Sequence, residues 1–212
     1  MDRILFPPRP KGKMNPKAEL VSAERTGRFV AQRKFNGTRT LMYVDSEGGI
    51  TLFDRYGREN KYQFSHEQKA EAREALILQA GWEYWLDGEL MHFKTKGIKN
   101  TLVFYDLLWE KEFLFGCNQI ERLQRLAAIC NHPISLDTDE KALYVSQSLR
   151  LAEVFDNDFM ALFEQSFNPT WDWCEGLVLR DRNSVLDTPC YKVNEEVRWQ
   201  KRCRKPNKNY NH

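Results

Sequence analysis

The feature that most limits the fold is a series of short strand-like segments, each bounded by turn signals. Residues 28–34 and 38–45 are rich in β-branched and aromatic side chains, and Asn36-Gly37 between them is a strong turn signal. The same pattern predicts further strands over residues 50–55, 84–93, 101–108, 175–180 and 191–201. Strands this short and this numerous favour antiparallel sheets.

Helical segments lie between these strands. Ser65 and Gln68 have the spacing of a capping box, which predicts a helix over residues 65–79. Residues 118–130 and 153–167 carry apolar side chains at helical spacing. Antiparallel strands with interspersed helices predict an α+β domain.

Basic residues concentrate at the two ends of the chain, although the net charge is only +2. We interpret residues 1–16 as a basic arm, 17–202 as one domain and 203–212 as a basic tail. This distribution suggests a partner that carries phosphates, and on charge alone two solvated tails explain it equally well. The basic residues near the end, with no acid among them, are Arg198, Lys201, Arg202, Arg204, Lys205 and Lys208.

Cysteine and histidine spacing argues against disulfides and zinc. The five cysteines are odd in number and none forms a C-x-x-C pair, so we expect reduced thiols. His66, His92 and His132 do not have zinc-ligand spacing. With no apolar run of membrane-spanning length, we expect no membrane partner and a reducing, cytoplasmic location, in the host cell if the source is viral.

The run from Gln32 to Arg39 holds the candidate nucleophile. The chain lacks both glycine-rich phosphate loops, so phosphates must be held by another route. Lys34 lies at the end of a predicted strand, just before the Asn36-Gly37 turn. A lysine attacks phosphorus only as the neutral amine, and Arg33 and Arg39 are candidates for the positive charge that favours it. A hairpin with a surface lysine explains the run equally well.

Four later segments carry side chains suited to a nucleotide. They are Leu86-Asp87-Gly88-Glu89-Leu90, Val103-Phe104-Tyr105-Asp106, Glu175-Gly176-Leu177-Val178-Leu179-Arg180 and Trp199-Gln200-Lys201-Arg202. Carboxylates bind the hard cation that a triphosphate requires. Lysine and arginine neutralise charge that develops on phosphate, and an aromatic face stacks on a purine.

In this order, the segments resemble the motif series of covalent nucleotidyltransferases, which include ATP-dependent DNA ligases, RNA ligases and mRNA capping enzymes. The resemblance covers about residues 17–201. It implies a nucleotidyltransferase fold, similar to ATP-grasp domains, with antiparallel sheets flanked by helices. It also implies that ATP reacts with Lys34, that Mg²⁺ or Mn²⁺ assists, and that nicked nucleic acid is the partner.

The same resemblance implies a role for each matching residue. Gln32 would read the adenine amino group, Arg39 would contact the nucleotide, and Arg55 of the Arg55-Tyr56-Gly57 element would contact phosphate. Glu89 would bind the ribose or the metal, and Phe104 would stack on adenine. Glu175 would serve the metal, and Lys201 would approach the α-phosphate.

Two positions depart from the family pattern. Asn36 replaces an aspartate in the first motif, which retains the turn but loses a negative charge. Cys203 occupies the place of the second lysine in the last motif, where an adjacent arginine or Lys192 would have to substitute.

Chain length and motif sequences indicate which members of this superfamily the chain resembles most. Only 11 residues follow Lys201, too few for an OB-fold, so we expect a stand-alone, monomeric catalytic domain of viral or phage type and disfavour mRNA capping. The residues around Glu89 and Glu175 resemble the motifs of DNA ligases more than those of RNA ligases, which favours a DNA ligase. The alternatives are an RNA ligase with the same chemistry and a catalytically degraded domain that only binds nucleic acid.

Overall fold

The computed structural model describes residues 5–11, 16–92, 94–95, 98–132, 142–186 and 192–206. Parts of the predicted arm and tail, together with Phe93, Cys190 and Tyr191, lie outside these residues. The helices are α1 Pro16–Thr26, α2 His66–Ala75, α3 Gln119–Ile129 and α4 Phe159–Gln165. The strands are β1 Arg9–Lys11, β2 Phe29–Phe35, β3 Thr38–Val44, β4 Ile50–Asp54, β5 Tyr84–Met91, β6 Thr101–Glu110, β7 Glu112–Phe113, β8 Leu143–Tyr144, β9 Leu149–Leu151, β10 Cys174–Asp181 and β11 Glu196–Arg204.

The strands form two sheets. The smaller sheet has the order β1-β11-β10-β2, in which β10 is antiparallel to both neighbours and β1 is parallel to β11. The larger sheet has the order β4-β3-β5-β6-β9-β8, with β7 paired to β6. Within the described residues neither sheet closes into a barrel, and the predicted α+β class is confirmed. The sheets are antiparallel as predicted, except that β1 pairs with β11 and β6 pairs with β9 in parallel.

The Asn36-Gly37 turn does not form the expected hairpin. Instead of pairing with each other, β2 pairs with β10 in the smaller sheet and β3 pairs with β4 and β5 in the larger sheet. A Cβ atom on Gly37 would lie 2.5 Å from the Leu90 carbonyl oxygen, so the close passage between sheets requires glycine. The turn thus sets the end of β2 and the start of β3 at the junction of the two sheets.

Helices cover the outer faces of the sheets. Apolar residues of α1 and α4 pack on the smaller sheet, among them Leu20, Ala23, Phe159 and Phe163. Residues of α2 and α3 belong to the core on the larger sheet. The inner face of the smaller sheet is therefore turned toward the larger sheet.

The starts of α2 and α3 agree with the sequence, whereas the starts of the other two helices do not, and α2 ends at Ala75 instead of the predicted residue 79. Ser65 caps α2 with the predicted box, and Asn118 caps α3 in the same way. The helix predicted over 153–167 begins only at Phe159, because the backbone of Phe155 pairs with Ala31 of β2. Helix α1 is not foreseen, since only Leu20 and Ala23 among its residues are buried. No described helix has the length and apolar character that a bilayer crossing needs.

Candidate active site

A cleft of about 520 Å³ opens between the two sheets. Strands β2, β10 and β11 form one wall, and β3, β5, β6 and the turn after β4 form the other. Ten of the described lining residues are Lys or Arg and three are Asp or Glu, although the whole chain has a net charge of only +2. The volume suits a small molecule, and the charge favours one that carries several phosphates.

Lys34 lies at the junction end of this cleft, in an ion pair. Its Nζ is 2.5 Å from Oε2 of Glu175, and Nη2 of Arg204 lies 3.2 Å from the same oxygen. Burial alone would raise the pKa of Glu175, but the charges of Lys34 and Arg204 outweigh burial and hold the pKa below its ordinary value. Glu175 is therefore ionised at neutral pH and fixes the amine at the cleft wall.

Gly176 allows this grouping. Its φ is +134°, and a Cβ there would lie 2.1 Å from the Cys203 carbonyl oxygen. The two strands can approach this closely only where one residue has no side chain. The approach holds Glu175 on β10 next to Arg204 on β11.

Glu89 faces Lys34 from the larger sheet. Its Oε1 accepts a hydrogen bond from the Gly37 amide at 3.1 Å. Burial raises the pKa of Glu89, and the charge of Glu175 adds to the increase, while Lys34, Lys94 and Arg39 oppose it. Both carboxylates thus line one cleft and sense each other's charge.

The two carboxylates suit a divalent cation that arrives with a polyphosphate. Magnesium is commonly held by one or two carboxylates together with substrate phosphates. In the described residues no three His, Cys, Asp or Glu side chains group into a ready-made metal site, so phosphate oxygens would have to complete the ligand set. Glu89 and Glu175 are the residues that fit this role.

A layer of charged and aromatic side chains supports the far wall. Arg39 pairs with the carboxylate of Asp87, and its Nη1 donates to the Pro8 carbonyl at 2.9 Å. The guanidinium groups of Arg39 and Arg180 lie over the Tyr105 ring, at 5.7 Å and 5.1 Å from its centroid. Burial raises the pKa of Tyr105 well above its ordinary value, so the phenol is neutral.

The structure brings six of the predicted site residues to this cleft. They are Gln32, Lys34, Arg39, Arg55, Glu89 and Glu175. Arg55 lies at the exposed mouth, with its guanidinium 4.7 Å from the centroid of the Tyr56 ring.

Three other predicted residues lie elsewhere. Phe104 is 0% exposed in the core of the larger sheet, and the next residue, Tyr105, lines the cleft instead. Lys201 points to the opposite face of β11, where it pairs with Glu19 and lies 4.6 Å from the Phe29 ring. Lys192 is exposed and is not among the described lining residues.

Strand alternation explains why Phe104 and Lys201 do not face the cleft. Successive side chains of a strand point to opposite faces, so an error of one residue moves a side chain to the wrong face. In β11 the buried apolar residues Val197 and Cys203 have odd numbers, as has Lys201. Gln200, Arg202 and Arg204 therefore face the cleft. Apolar residues at odd positions of β11 indicate this orientation in the sequence, but the same alternation also selects Arg198, which is exposed and is not among the described lining residues.

The departure at Asn36 has a local cause. Its Nδ2 donates to the Asp172 carbonyl at 3.0 Å, and its backbone N–H donates to the Trp173 carbonyl at 2.8 Å. An aspartate has no side-chain donor for the first bond. Asparagine at this position therefore suits the loop that packs beside Phe35.

Comparisons place the fold among known ligase structures. No protein-family model and no curated protein sequence matches the chain. A mycobacterial DNA ligase D complexed with ATP and MES aligns over 81% of this chain and 52% of its own, at 20% identity and a TM-score of 0.55. A structure named Pmar-Lig_PreS3 aligns over 95% of this chain and 47% of its own, at 16% identity and a TM-score of 0.62.

A third structure is a Lig E DNA ligase, described as binding DNA with a minimal scaffold. It aligns over 84% of this chain and 62% of its own, at 14% identity and a TM-score of 0.51. The chain spans about half the length of the first two structures and less than two thirds of the third. The chain thus shares its fold with these DNA ligase structures, which confirms the fold that the motif series predicts.

Proposed function

We propose that this chain is an ATP-dependent polynucleotide ligase that seals 5′-phosphate/3′-hydroxyl breaks, with nicked DNA as the favoured substrate. One observation carries the proposal. Lys34 lies in a basic cleft with its amine 2.5 Å from Glu175, and Glu89 lines the same cleft. The ATP bound to the similar mycobacterial ligase supports the choice of nucleotide.

The cleft walls fit the parts of a nucleotide. Tyr105 and Val178 lie on opposite walls and offer two faces between which a purine ring can stack. Gln32, on the same side of β2 as Lys34, is positioned to read the base edge. With Tyr105 in place of Phe104 as the stacking residue, the triphosphate extends toward Lys34, Arg202 and Arg204.

In the first reaction, Lys34 gives up one proton of its ion-paired ammonium to solvent, and the neutral Nζ then forms a bond to the α-phosphorus of ATP. The bond between that phosphorus and the bridging oxygen breaks, pyrophosphate leaves with the electron pair, and the amine releases a proton to solvent. Arg202 and Arg204 neutralise the charge that develops on phosphate. A divalent cation held by Glu89 and Glu175 would neutralise further charge on the triphosphate.

Two further reactions complete the sealing. An oxygen of the 5′-phosphate attacks the phosphorus of the lysine-bound AMP, which frees Lys34 and leaves AMP joined to the nucleic acid through a pyrophosphate bond. The 3′-hydroxyl then attacks the 5′-phosphate, and AMP leaves. Arg55 and Arg58 at the mouth of the cleft, with the basic ends of the chain, supply charge for the nucleic-acid backbone.

The test of this function is sealing of nicked duplexes by the purified chain with ATP and magnesium or manganese. We expect joined product on a DNA nick, and slower joining when the strand with the 3′-hydroxyl is RNA. Faster joining of the RNA-containing nick would favour the RNA ligase. Binding of the duplex without joining of either substrate would favour the degraded nucleic-acid-binding domain.

The assignment of Arg204 instead of Lys201 gives a separate prediction. Arg204→Ala removes a cation beside Glu175 and should slow lysine adenylation roughly a hundredfold. Lys201→Ala is the matched control, because Lys201 pairs with Glu19 on the other face of the same strand. Its adenylation rate should stay within about threefold of wild type. The reverse order of effects would contradict the register of β11.

A further inference from the structure

Beyond Lys34, the cleft side of the smaller sheet continues in two rows of side chains. Gln32, Val178 and Arg202 face one another across β2, β10 and β11. Arg180 and Gln200 form the next row. Two residues of a strand span about 7 Å, so the row of Gln32 leaves room for a ribose between it and a phosphate at Lys34.

These rows hold buried polar atoms without partners. Gln32 is 2% exposed and Gln200 is 1% exposed. Within the described part of the chain, Oε1 and Nε2 of Gln32, Nε2 of Gln200 and Nε of Arg180 have no hydrogen-bond partner. Buried polar atoms are nearly always paired in folded proteins. Because all three residues line the cleft, the unpaired atoms point to a ligand that supplies the partners.

We propose that this end of the cleft binds guanine as well as adenine, so that Lys34 accepts GMP from GTP as well as AMP from ATP. The inference rests on the proposed function and names its nucleotide class. The chemistry is unchanged, since Nζ bonds to the α-phosphorus and pyrophosphate leaves in either case. A purine stacked between Tyr105 and Val178 directs its edge toward Gln32, Arg180 and Gln200.

The chemistry of the unpaired atoms supports both bases. The carboxamide of Gln32 accepts a hydrogen bond from the amino group of adenine, and after rotation its NH₂ donates to O6 of guanine. Arg180 and Gln200 offer donors, and guanine presents O6 and N7 as acceptors, which arginine reads in nucleic acids. The two rows contain no carboxylate that would repel O6. Discrimination between related ligands commonly requires such a repulsive element.

The experiment measures label transfer to the wild-type protein from ATP or GTP labelled at the α-phosphate. At equal, subsaturating concentrations we expect the two initial rates to agree within about tenfold. Gln32→Glu fixes an acceptor that suits adenine and repels O6, so it should raise the ratio of ATP rate to GTP rate by about tenfold or more. Gln124→Glu makes the same change on the exposed side of α3 and should leave the ratio unaltered.

The outcomes separate this inference from the proposed function. Label from ATP with a preference above tenfold, or an unchanged ratio in Gln32→Glu, overturns purine tolerance and leaves the ligase proposal standing. If neither ATP nor GTP labels the protein, the ligase proposal is overturned instead. Equilibrium dialysis of ATP and GTP against Lys34→Ala protein then decides base choice without the reaction. Dissociation constants within about tenfold support purine tolerance, and a wider gap overturns it.

Discussion

Lys34→Ala protein is expected to join no nicks from ATP, while it still joins a nick whose 5′-phosphate already carries AMP. The substitution removes the nucleophile that attacks ATP in the first reaction, so no slower version of that reaction remains. The last reaction needs the 3′-hydroxyl and the seated AMP but not a lysine nucleophile. Gel assays of both substrates measure the two outcomes side by side.

Lys99→Ala is the matched control, because Lys99 is exposed and lies outside the described lining of the cleft. It should join both substrates at the wild-type rate. Loss of joining on both substrates by Lys34→Ala would mean damage to the fold, which thermal unfolding checks. Normal joining from ATP by that protein would rule out the lysine–AMP route.

Asp106→Ala is expected to lower the free energy of unfolding by about 3–5 kcal/mol. Asp106 is 2% exposed and accepts hydrogen bonds from Arg122, itself 0% exposed, and from Arg180. Removal of the carboxylate would leave two buried guanidinium groups without their counter-charge. Since folded domains are stable by only about 5–15 kcal/mol, denaturant unfolding should detect this loss easily.

Acid should reduce the difference in the free energy of unfolding between wild type and Asp106→Ala. Burial acts to raise the pKa of Asp106, but the charges of Arg122 and Arg180 outweigh burial and lower it. A carboxylate with a lowered folded pKa stabilises the fold above its unfolded pKa, about 3.9, and this contribution is lost as the pH falls through the folded pKa. Asp106→Ala should therefore lower the free energy of unfolding by the full amount at pH 7 and by less in strong acid.

Asp156→Ala supplies the comparison. Asp156 lies 3.8 Å from Arg182 in a pair whose side chains are 39% and 32% exposed, so its loss should cost about 0–1 kcal/mol. Equal losses for the two variants would contradict the buried network. Such a result would also remove the support that Asp106 gives Arg180 at the cleft.

Local patterns predicted those elements whose stability is local. The capping box of α2, the apolar spacing of α3 and the β-branched segments of β2, β3 and β6 all depend on residues close together in the sequence. Short elements lack such a local pattern and depend on contacts that are distant in the sequence. Strand β1 exists because it pairs with β11, far along the chain. Likewise, α4 begins late because Phe155 pairs with Ala31, a contact that no periodicity reveals.

The site was predictable where a motif fixes the residue and not where only the face of a strand decides. Lys34, Glu89 and Glu175 stand beside turns or glycines that set their position. Phe104 and Tyr105 are adjacent on β6, and either could face the nucleotide until the packing of the sheet is known. In the same way, Lys201 and Arg202 are adjacent on β11, and either could face the cleft.

Incubation of the wild-type protein with magnesium and ATP labelled at the α-phosphate tests whether Lys34 carries AMP. Denaturing electrophoresis and peptide mapping then locate the label. We predict acid-labile label on the peptide that contains Lys34, and its release when pyrophosphate is added. Label on another residue, or none with magnesium or manganese, would contradict it.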